Sequence, residues 1–361
     1  MISLFILGLA VLLHIIFVRT IGTGWISDSS RFLAYLKKDH ELERISKDAF
    51  RIMMVFELFS SVWGTIITVI LAGFFPSLTA LVTNILFVPL LIALISIMVR
   101  IPSIAAFWYT WGKIDPKAQS VVGILMAVSG FTIPLGFRSL FSEINAPAAL
   151  AQFISSGAAN PFAAYTSAIF WIFYLHTIFA SLSVGGFMLA YLMSKERHSR
   201  GVRLGYRYGL GYLVLQIPIS IVYWYLLSSS SQYIFETITF GQFLPIFASK
   251  LSVVLILLVL GILGFSMDKA AFAKYSALFS LLAVFFGEMM NDGARYPFFV
   301  IIGKGGIPIS SFANFYIEIP FIAVYIILAF LIMSILIFLV ALFYALFRRF
   351  LSNIGIDYEA Y

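Results

Sequence analysis

Long runs of apolar residues, each long enough to cross a lipid bilayer, follow one another along almost the whole chain. A membrane-spanning helix needs about 20 mainly apolar residues. The sequence therefore predicts nine spans, at residues 2–18, 51–74, 79–99, 118–139, 163–194, 207–228, 243–265, 271–290 and 317–347. The runs are continuous and do not alternate with a period of two, which favours helices over the strands of a membrane barrel. We predict an all-α, polytopic helical bundle that forms a single integral membrane domain over residues 1–361.

The composition agrees with this interpretation. Hydrophobic residues make up 62% of the chain and charged residues 11%, whereas about a quarter of the residues of a soluble domain are charged. Cysteine is absent, which excludes disulfides, iron–sulfur clusters and thiolate ligands.

The net charge of +7 is distributed unevenly along the chain. Lys and Arg concentrate in residues 19–51, 100–117, 195–207, 269–274 and 348–349, whereas the opposite loops contain Arg138, Arg295 and Lys304. Cytoplasmic loops of membrane proteins are enriched in Lys and Arg. With nine spans, this asymmetry predicts an N-terminus outside the cell, a C-terminus in the cytoplasm and a location in the plasma membrane, in contact with lipid. Since topology explains the charge, we expect no nucleic-acid partner.

Two histidines lie inside predicted spans, His176 in the fifth and His14 in the first. At ~100° per residue, Ala180, Ser183 and Gly186 lie within about a quarter turn of His176. A flat macrocycle ligated by His176 needs such a face of small side chains, and histidine is a common axial ligand of haem iron. A histidine that is bonded to a backbone carbonyl in a packed bundle fits the same spacing equally well.

Charged side chains inside the spans form a second set of candidates. Glu57, Lys250 and Glu288 interrupt apolar runs, and Asp292 and Arg295 follow Glu288 at i+4 and i+7. A charge buried in a membrane must be paired or serve a pathway. Lys250 and Arg295 have the charge to bind haem propionates; a structural ion pair is the alternative for Asp292 and Arg295.

Glycine recurs at every fourth position in the sixth span, at Gly201, Gly205 and Gly209. Such a face of small residues allows a second helix to approach closely. We predict that it serves helix packing.

These residues together resemble the cytochrome bd oxidase superfamily, whose subunits I and II are nine-span bundles. The segment Tyr174–Met188 is similar to the helix of subunit I that ligates low-spin haem b, and Leu13–Val18 resembles the first helix, where a histidine ligates high-spin haem. Asp292–Pro297 is similar to a Glu-Tyr-Gly-Arg-Gln-Pro segment of subunit I. The resemblance implies that His176, His14 and Asp292 are candidate iron ligands, and that Lys250 and Arg295 lie near haem carboxylates.

Other stretches resemble subunit II. They are Arg31-Phe-Leu, Val62-Trp63, Ala72–Pro76 and Met267–Ala271. The similarity covers nearly the whole chain and indicates the superfamily more firmly than the choice of subunit. In the family's register the first helix continues through Arg19 and Gly22, past the hydropathy boundary at Val18.

Three departures from subunit I bear on function. Ser252 stands where the family has the methionine that is the second ligand of low-spin haem, and Arg100 stands where it has a membrane glutamate. The connection at 229–242 is too short for the family's quinol-binding loop. The resemblance therefore implies that the chain works with a second nine-span subunit, with quinone bound, if at all, in the assembled complex.

The leading hypothesis is a subunit of a membrane oxidoreductase that transfers electrons from quinol to oxygen and holds one b-type haem. Glu57 and Glu288 are then candidates for proton relay. Two other hypotheses are a haem-free structural partner subunit and, from a different class, a secondary transporter that binds its substrate through Glu57, Lys250 and Glu288.

Overall fold

The computed structural model describes residues 2–19, 22–158, 160, 162–195, 198–267, 271–312 and 320–347. Its helices are α1 (Ile2–Arg19), α2 (Gly22–Lys37), α3 (His40–Phe74), α4 (Pro76–Ile85), α5 (Phe87–Tyr109), α6 (Pro116–Asn145), α7 (Ala148–Ser156), α8 (Ala168–Lys195), α9 (Ser199–Ser230), α10 (Gln232–Thr239), α11 (Leu244–Ser266), α12 (Ala271–Gly293) and α13 (Phe321–Phe347). Two short 3-10 helices, Ala163–Thr166 and Ile309–Ser311, and the strands β1 (Phe298–Ile302) and β2 (Gly305–Pro308) complete the described elements.

Eight helical stretches among the described residues are long and apolar enough to cross a membrane. The first, Ile6–Lys37, includes α1 from Ile6 onward and all of α2, and the other seven coincide with α3, α5, α6, α8, α9, α11 and α12. The ninth predicted span, 317–347, corresponds to α13, although its first three residues lie outside the described residues. The predicted all-α polytopic bundle is confirmed.

The segment at 19–50, predicted to be a connection, is instead largely helical. It contains α2 and the first turns of α3, and α2 packs against α3, α6 and α8. Hydropathy failed here because α2 buries polar side chains, among them Ser27, Asp28 and Arg31. The carboxylate of Asp39 accepts a hydrogen bond from the backbone N–H of Leu42 and so caps α3.

The third span is shifted from the predicted 79–99. Residues 76–85 form the separate helix α4, with Pro76 in its first turn, and α5 then runs from Phe87 to Tyr109. The predicted boundary at Arg100 was wrong because this arginine is buried inside the bundle and does not mark a helix end.

A β-hairpin follows α12. Strand β1 pairs with β2 in antiparallel register, with Ile301 opposite Gly306 and Ile302 opposite Gly305. Gly303 in the turn has a φ of 60°, a conformation that glycine adopts without steric cost. Strand β1 contacts α6, which carries part of the site described below.

Helices α8 and α9 pack closely against each other. A Cβ on Gly186 would overlap the backbone of Gly209, and one on Gly205 would overlap the backbone of Ala190. The Ser183 hydroxyl donates a hydrogen bond of 2.8 Å to the Gly209 carbonyl. The predicted packing role of the glycine face on α9 is confirmed.

Candidate functional site

His176 lies in the first half of α8, and its ring nitrogen Nδ1 is inside the bundle. Its Nδ1 atom is buried and has no hydrogen-bond partner among the described residues. The ring centroid lies 6.0 Å from that of Tyr223, and Gln216 donates a hydrogen bond of 2.8 Å to the backbone oxygen of His176. Buried polar atoms are nearly always hydrogen-bonded. The alternative in which a backbone carbonyl accepts a hydrogen bond from Nδ1 of His176 therefore does not fit the structure.

Arg19 and Glu288 form a buried ion pair beside α8. The Nη2 atom of Arg19 lies 3.3 Å from Oε1 of Glu288, and its Nη1 donates to the backbone oxygen of Thr177 at 2.8 Å. The side chain of Asn291 donates to the second carboxylate oxygen of Glu288 at 3.2 Å. The acid predicted as a proton-relay candidate is therefore bonded through both of its oxygens.

A second ion pair, at the end of α12, lies close to the pair of Arg19 and Glu288. The Nη2 atom of Arg295 lies 3.7 Å from Oδ1 of Asp292, and its Nη1 donates to Asn145 of α6 at 3.2 Å. Lys250 of α11 lies beside α12, because a Cβ on Gly287 would be 3.3 Å from its Nζ atom. Among the described residues no carboxylate lies within ion-pair distance of Lys250.

The sequence analysis misplaced two residues of this region. Arg19, counted among the basic residues of the cytoplasmic segment 19–51, is buried in the bundle. The second is Arg138. It was assigned to an outer loop, but it lies in α6 and is 6% exposed. Its guanidinium lies over the rings of Phe141 and Phe173, at 5.1 and 4.7 Å, and its Nη1 has no hydrogen-bond partner among the described residues. Arg138 interacts electrostatically with both His14 and His176. The signal available in the sequence was its isolation at the end of an apolar run.

These side chains form one charged cluster next to His176. It contains four cations and two carboxylates, namely Arg19, Arg138, Lys250, Arg295, Glu288 and Asp292. With every member ionised, the cluster has an excess of two positive charges. Uncompensated charge inside a membrane domain is costly, so the cluster is suited to an anionic group.

His14 lies on α1 against α3. Its Nδ1 is 2.8 Å from the carbonyl oxygen of Ser60, and a Cβ on Gly64 would lie 3.2 Å from its Cε1 atom. A carbonyl accepts but does not donate, so Nδ1 carries the proton of the neutral ring and Nε2 keeps its lone pair. A hydrogen bond from one ring nitrogen to a carbonyl is the usual way that proteins orient a metal-binding histidine.

The remaining predicted positions lie elsewhere. Ser183 and Gly186 contact α9, so we do not include them in a haem-facing surface, and Ala180 is half-buried on α8. Glu57 accepts a hydrogen bond of 2.7 Å from Arg100. Ser252 is exposed and donates to the backbone oxygen of Ala248.

A comparison with known protein families shows to which family the chain belongs. The sequence model described as cytochrome bd terminal oxidase subunit I matches residues 2–227, well over half of the chain. The chain belongs to this family. It is therefore a bd-type oxidase subunit and a multi-pass protein of the plasma membrane. The matched residues include Arg31, Trp63 and Pro76, where the sequence also resembles subunit II.

A solved structure shares the fold. The bd oxidase from Geobacillus thermodenitrificans superposes with a TM-score of 0.82 over 98% of both chains, at 13% sequence identity. None of the curated proteins that were compared matches the chain. The transporter hypothesis is replaced by membership of the oxidase family. The match of the subunit I model ends at residue 227, so Lys250, Glu288, Asp292 and Arg295 lie outside the matched residues.

Proposed function

We propose that this chain is a haem-binding subunit of a quinol-oxidising, oxygen-reducing complex, with His176 as an iron ligand. The observation that carries the proposal is the cationic cluster beside His176, where the buried Nδ1 of this histidine and Nη1 of Arg138 both lack a hydrogen-bond partner among the described residues. A haem would satisfy both atoms, because its iron binds an imidazole nitrogen and its propionates accept hydrogen bonds from cationic side chains.

Each cation of the cluster has a definable role in this proposal. Arg138 has a free Nη1 and Lys250 has no carboxylate partner at ion-pair distance among the described residues, so these two are the principal propionate partners. Arg19 and Arg295 are already paired with Glu288 and Asp292 and supply background positive charge. Asp292, predicted as an iron ligand, remains a weaker candidate because its carboxylate faces Arg295.

His14 is the second candidate ligand. The carbonyl of Ser60 holds its Nδ1–H, which leaves Nε2 available for iron. When bound, a b-type haem would supply one-electron transfer, while the protein fixes its orientation and excludes water. The protons that oxygen reduction consumes would pass through carboxyl groups, of which Glu57 and Glu288 are the predicted candidates.

A partner subunit completes the proposal. The connection between α9 and α11 contains only the short helix α10, Gln232–Thr239, in place of a long quinol-binding loop. Ser252 is exposed and offers no thioether ligand. We therefore expect a second nine-span chain to contribute to the quinol site and to the complete set of haems.

The charge of Arg138 provides the test. We expect the assembled complex to contain haem, and Arg138→Gln to lower the haem bound per complex, since an uncompensated propionate in a buried site is costly. Lys304→Gln, which removes an exposed cation of the hairpin turn, is the matched control and should leave haem content unchanged. Equal haem in the wild type and both variants would contradict the role of Arg138, and a complex without haem would contradict the whole proposal.

A further inference from the structure

Asp28 of α2 is a buried carboxyl that the site described so far does not use. The residue is 6% exposed, and neither of its carboxylate oxygens has a hydrogen-bond partner among the described residues. It faces the backbone of α6, where a Cβ on Gly123 would be 3.1 Å from its Oδ1 and 3.0 Å from the ring of Phe107. Buried polar groups are nearly always bonded, so this carboxyl is an exception that calls for a function.

Burial without a hydrogen-bond partner among the described residues disfavours the charged form of Asp28. Arg100 of α5 is the charged side chain that acts on it among the described residues. The charge of Arg100 is already balanced by Glu57 of α3, which accepts two of its hydrogen bonds. A second, unpaired carboxylate in this interior costs far more than a protonated carboxyl.

Polar side chains lead from Asp28 toward one end of the bundle. Arg31, one turn further along α2, donates to Gln119 of α6 at 2.9 Å and to Glu43 of α3 at 2.6 Å. The side chain of Glu43 is 24% exposed, and Gln119 precedes Gly123 by one turn of α6. Hydrogen-bonding groups therefore extend from the turn of α2 that follows Asp28 to the partly exposed Glu43.

In the other direction, Asp28 leads toward His14. Glu57, which accepts hydrogen bonds from Arg100, interacts electrostatically with His14. Glu57, Ser60 and Gly64 are spaced i, i+3 and i+7 along α3, so they share one face, and the last two contact the His14 ring. Asp28 thus lies between the charged end of α2 and the His14 region.

We propose that Asp28 is a proton-carrying carboxyl that takes protons from water at the Lys37 end of α2 and passes them to the Glu57 side of Arg100. In each cycle the neutral acid releases one proton inward through water, and the resulting carboxylate regains one from the aqueous side. Arg100 does not release its proton, and its charge stabilises the transient carboxylate. The inference rests on the proposed function, since oxygen reduction is what consumes the protons.

Substitution of Asp28 in the assembled complex is the first test. We expect Asp28→Asn to retain the wild-type haem spectrum and to lower quinol-driven oxygen consumption on the order of 100-fold, the lower end of what a proton-transferring side chain contributes. Asp28→Glu should restore most of the activity. Asp115→Asn is the matched control, because Asp115 is an exposed helix cap and asparagine caps a helix equally well. Wild-type turnover in Asp28→Asn would overturn the proposal.

A labelling experiment on the wild-type complex is independent of haem and of the variants. Apolar carbodiimides modify protonated carboxyl groups in apolar surroundings, and peptide mass spectrometry locates the adduct. We expect the label on Asp28 and not on Asp115. If Asp28→Asn fails to assemble, this result decides the matter, and an unlabelled Asp28 would overturn the inference. A haem-free complex with a labelled Asp28 would overturn the proposed function and leave Asp28 as a buried protonated carboxyl.

Discussion

Arg100 of α5 donates two hydrogen bonds to the carboxylate of Glu57 in α3, at 2.7 Å from Nε and 2.9 Å from Nη2. Its Nη1 donates to the backbone oxygen of Met126 at 2.7 Å, and the residue is 2% exposed. Every side of the guanidinium is therefore satisfied by the fold. In the sequence resemblance, subunit I has a membrane glutamate where this chain has Arg100, and the structure brings the carboxylate of Glu57 beside the arginine from another helix.

This pair predicts a strongly non-additive response to mutation. Arg100→Met leaves Glu57 without its partner and should destabilise the protein by about 3 kcal/mol, as breaking a buried ion pair does. The double variant Glu57→Gln with Arg100→Met should recover most of this loss, because no uncompensated charge remains. Thermal unfolding of the four proteins in one detergent measures the coupling. Additive effects would show that the bidentate contact contributes nothing.

The contact between α8 and α9 predicts that alanine substitutions at two glycines change stability in opposite directions. Gly186→Ala should destabilise the protein by about 1–3 kcal/mol, the usual cost of overpacking, because its Cβ would overlap the backbone of Gly209. Gly211→Ala is the control on α9, since nothing lies within 4 Å of a Cβ there, and alanine favours helix by about 0.5–1 kcal/mol. Opposite signs of the change in melting temperature would confirm the packing, and two equal changes would contradict it.

Asp39, which follows the end of α2, is predicted to make a pH-dependent contribution to the stability of the folded protein. Hydrogen bonds from Arg200 and from the Leu42 N–H lower the pKa of this carboxyl below its usual value. A carboxyl with a depressed pKa in the folded state stabilises that state above its unfolded pKa, and the stabilisation is lost as pH falls through the folded value. Asp39→Asn should thus reduce stability at neutral pH, and the difference from the wild type should shrink below about pH 4. A difference that is independent of pH would contradict this role.

Basic residues predict the orientation of the chain. Exposed cations cluster at the end where α8 meets α9, among them Lys195, Arg200 and Arg203, and such residues mark the cytoplasmic side. The chain lacks cysteine, so single cysteines placed at the exposed Ser199 and Ser229, at opposite ends of α9, report directly on topology. We expect an impermeant thiol reagent to label the cysteine at 229 in intact cells and not that at 199. The reverse pattern would show that the N-terminus is cytoplasmic.

The sequence predicted the long helices because their apolar runs are set by bilayer thickness. It failed at α2, whose buried Ser27, Asp28 and Arg31 find partners or space only in tertiary contacts with α3 and α6. A hydropathy pattern predicts that such residues are exposed to solvent. A buried polar residue can be recognised from the sequence only when its neighbours along the chain are apolar on both sides.

The sequence identified part of the candidate site and missed the rest for the same reason. His176, Lys250 and Glu288 interrupt apolar runs and could be identified as buried. Arg138 and Arg19 lie at the ends of such runs, where a charge ordinarily reaches the membrane surface. Their burial depends on which helices pack against α1 and α6, and that information is long-range.

The central claim is that His176 ligates haem iron, and the most direct measurement is the reduced-minus-oxidised absorption spectrum of the assembled complex. We expect a b-type band in the wild type that His176→Ala removes while helical content and assembly are preserved. His40→Ala is the control, because the side chain of His40 is 90% exposed, and it should leave the band intact. An unchanged band and haem content in His176→Ala, or a wild-type complex in which this subunit carries no haem, would contradict the account.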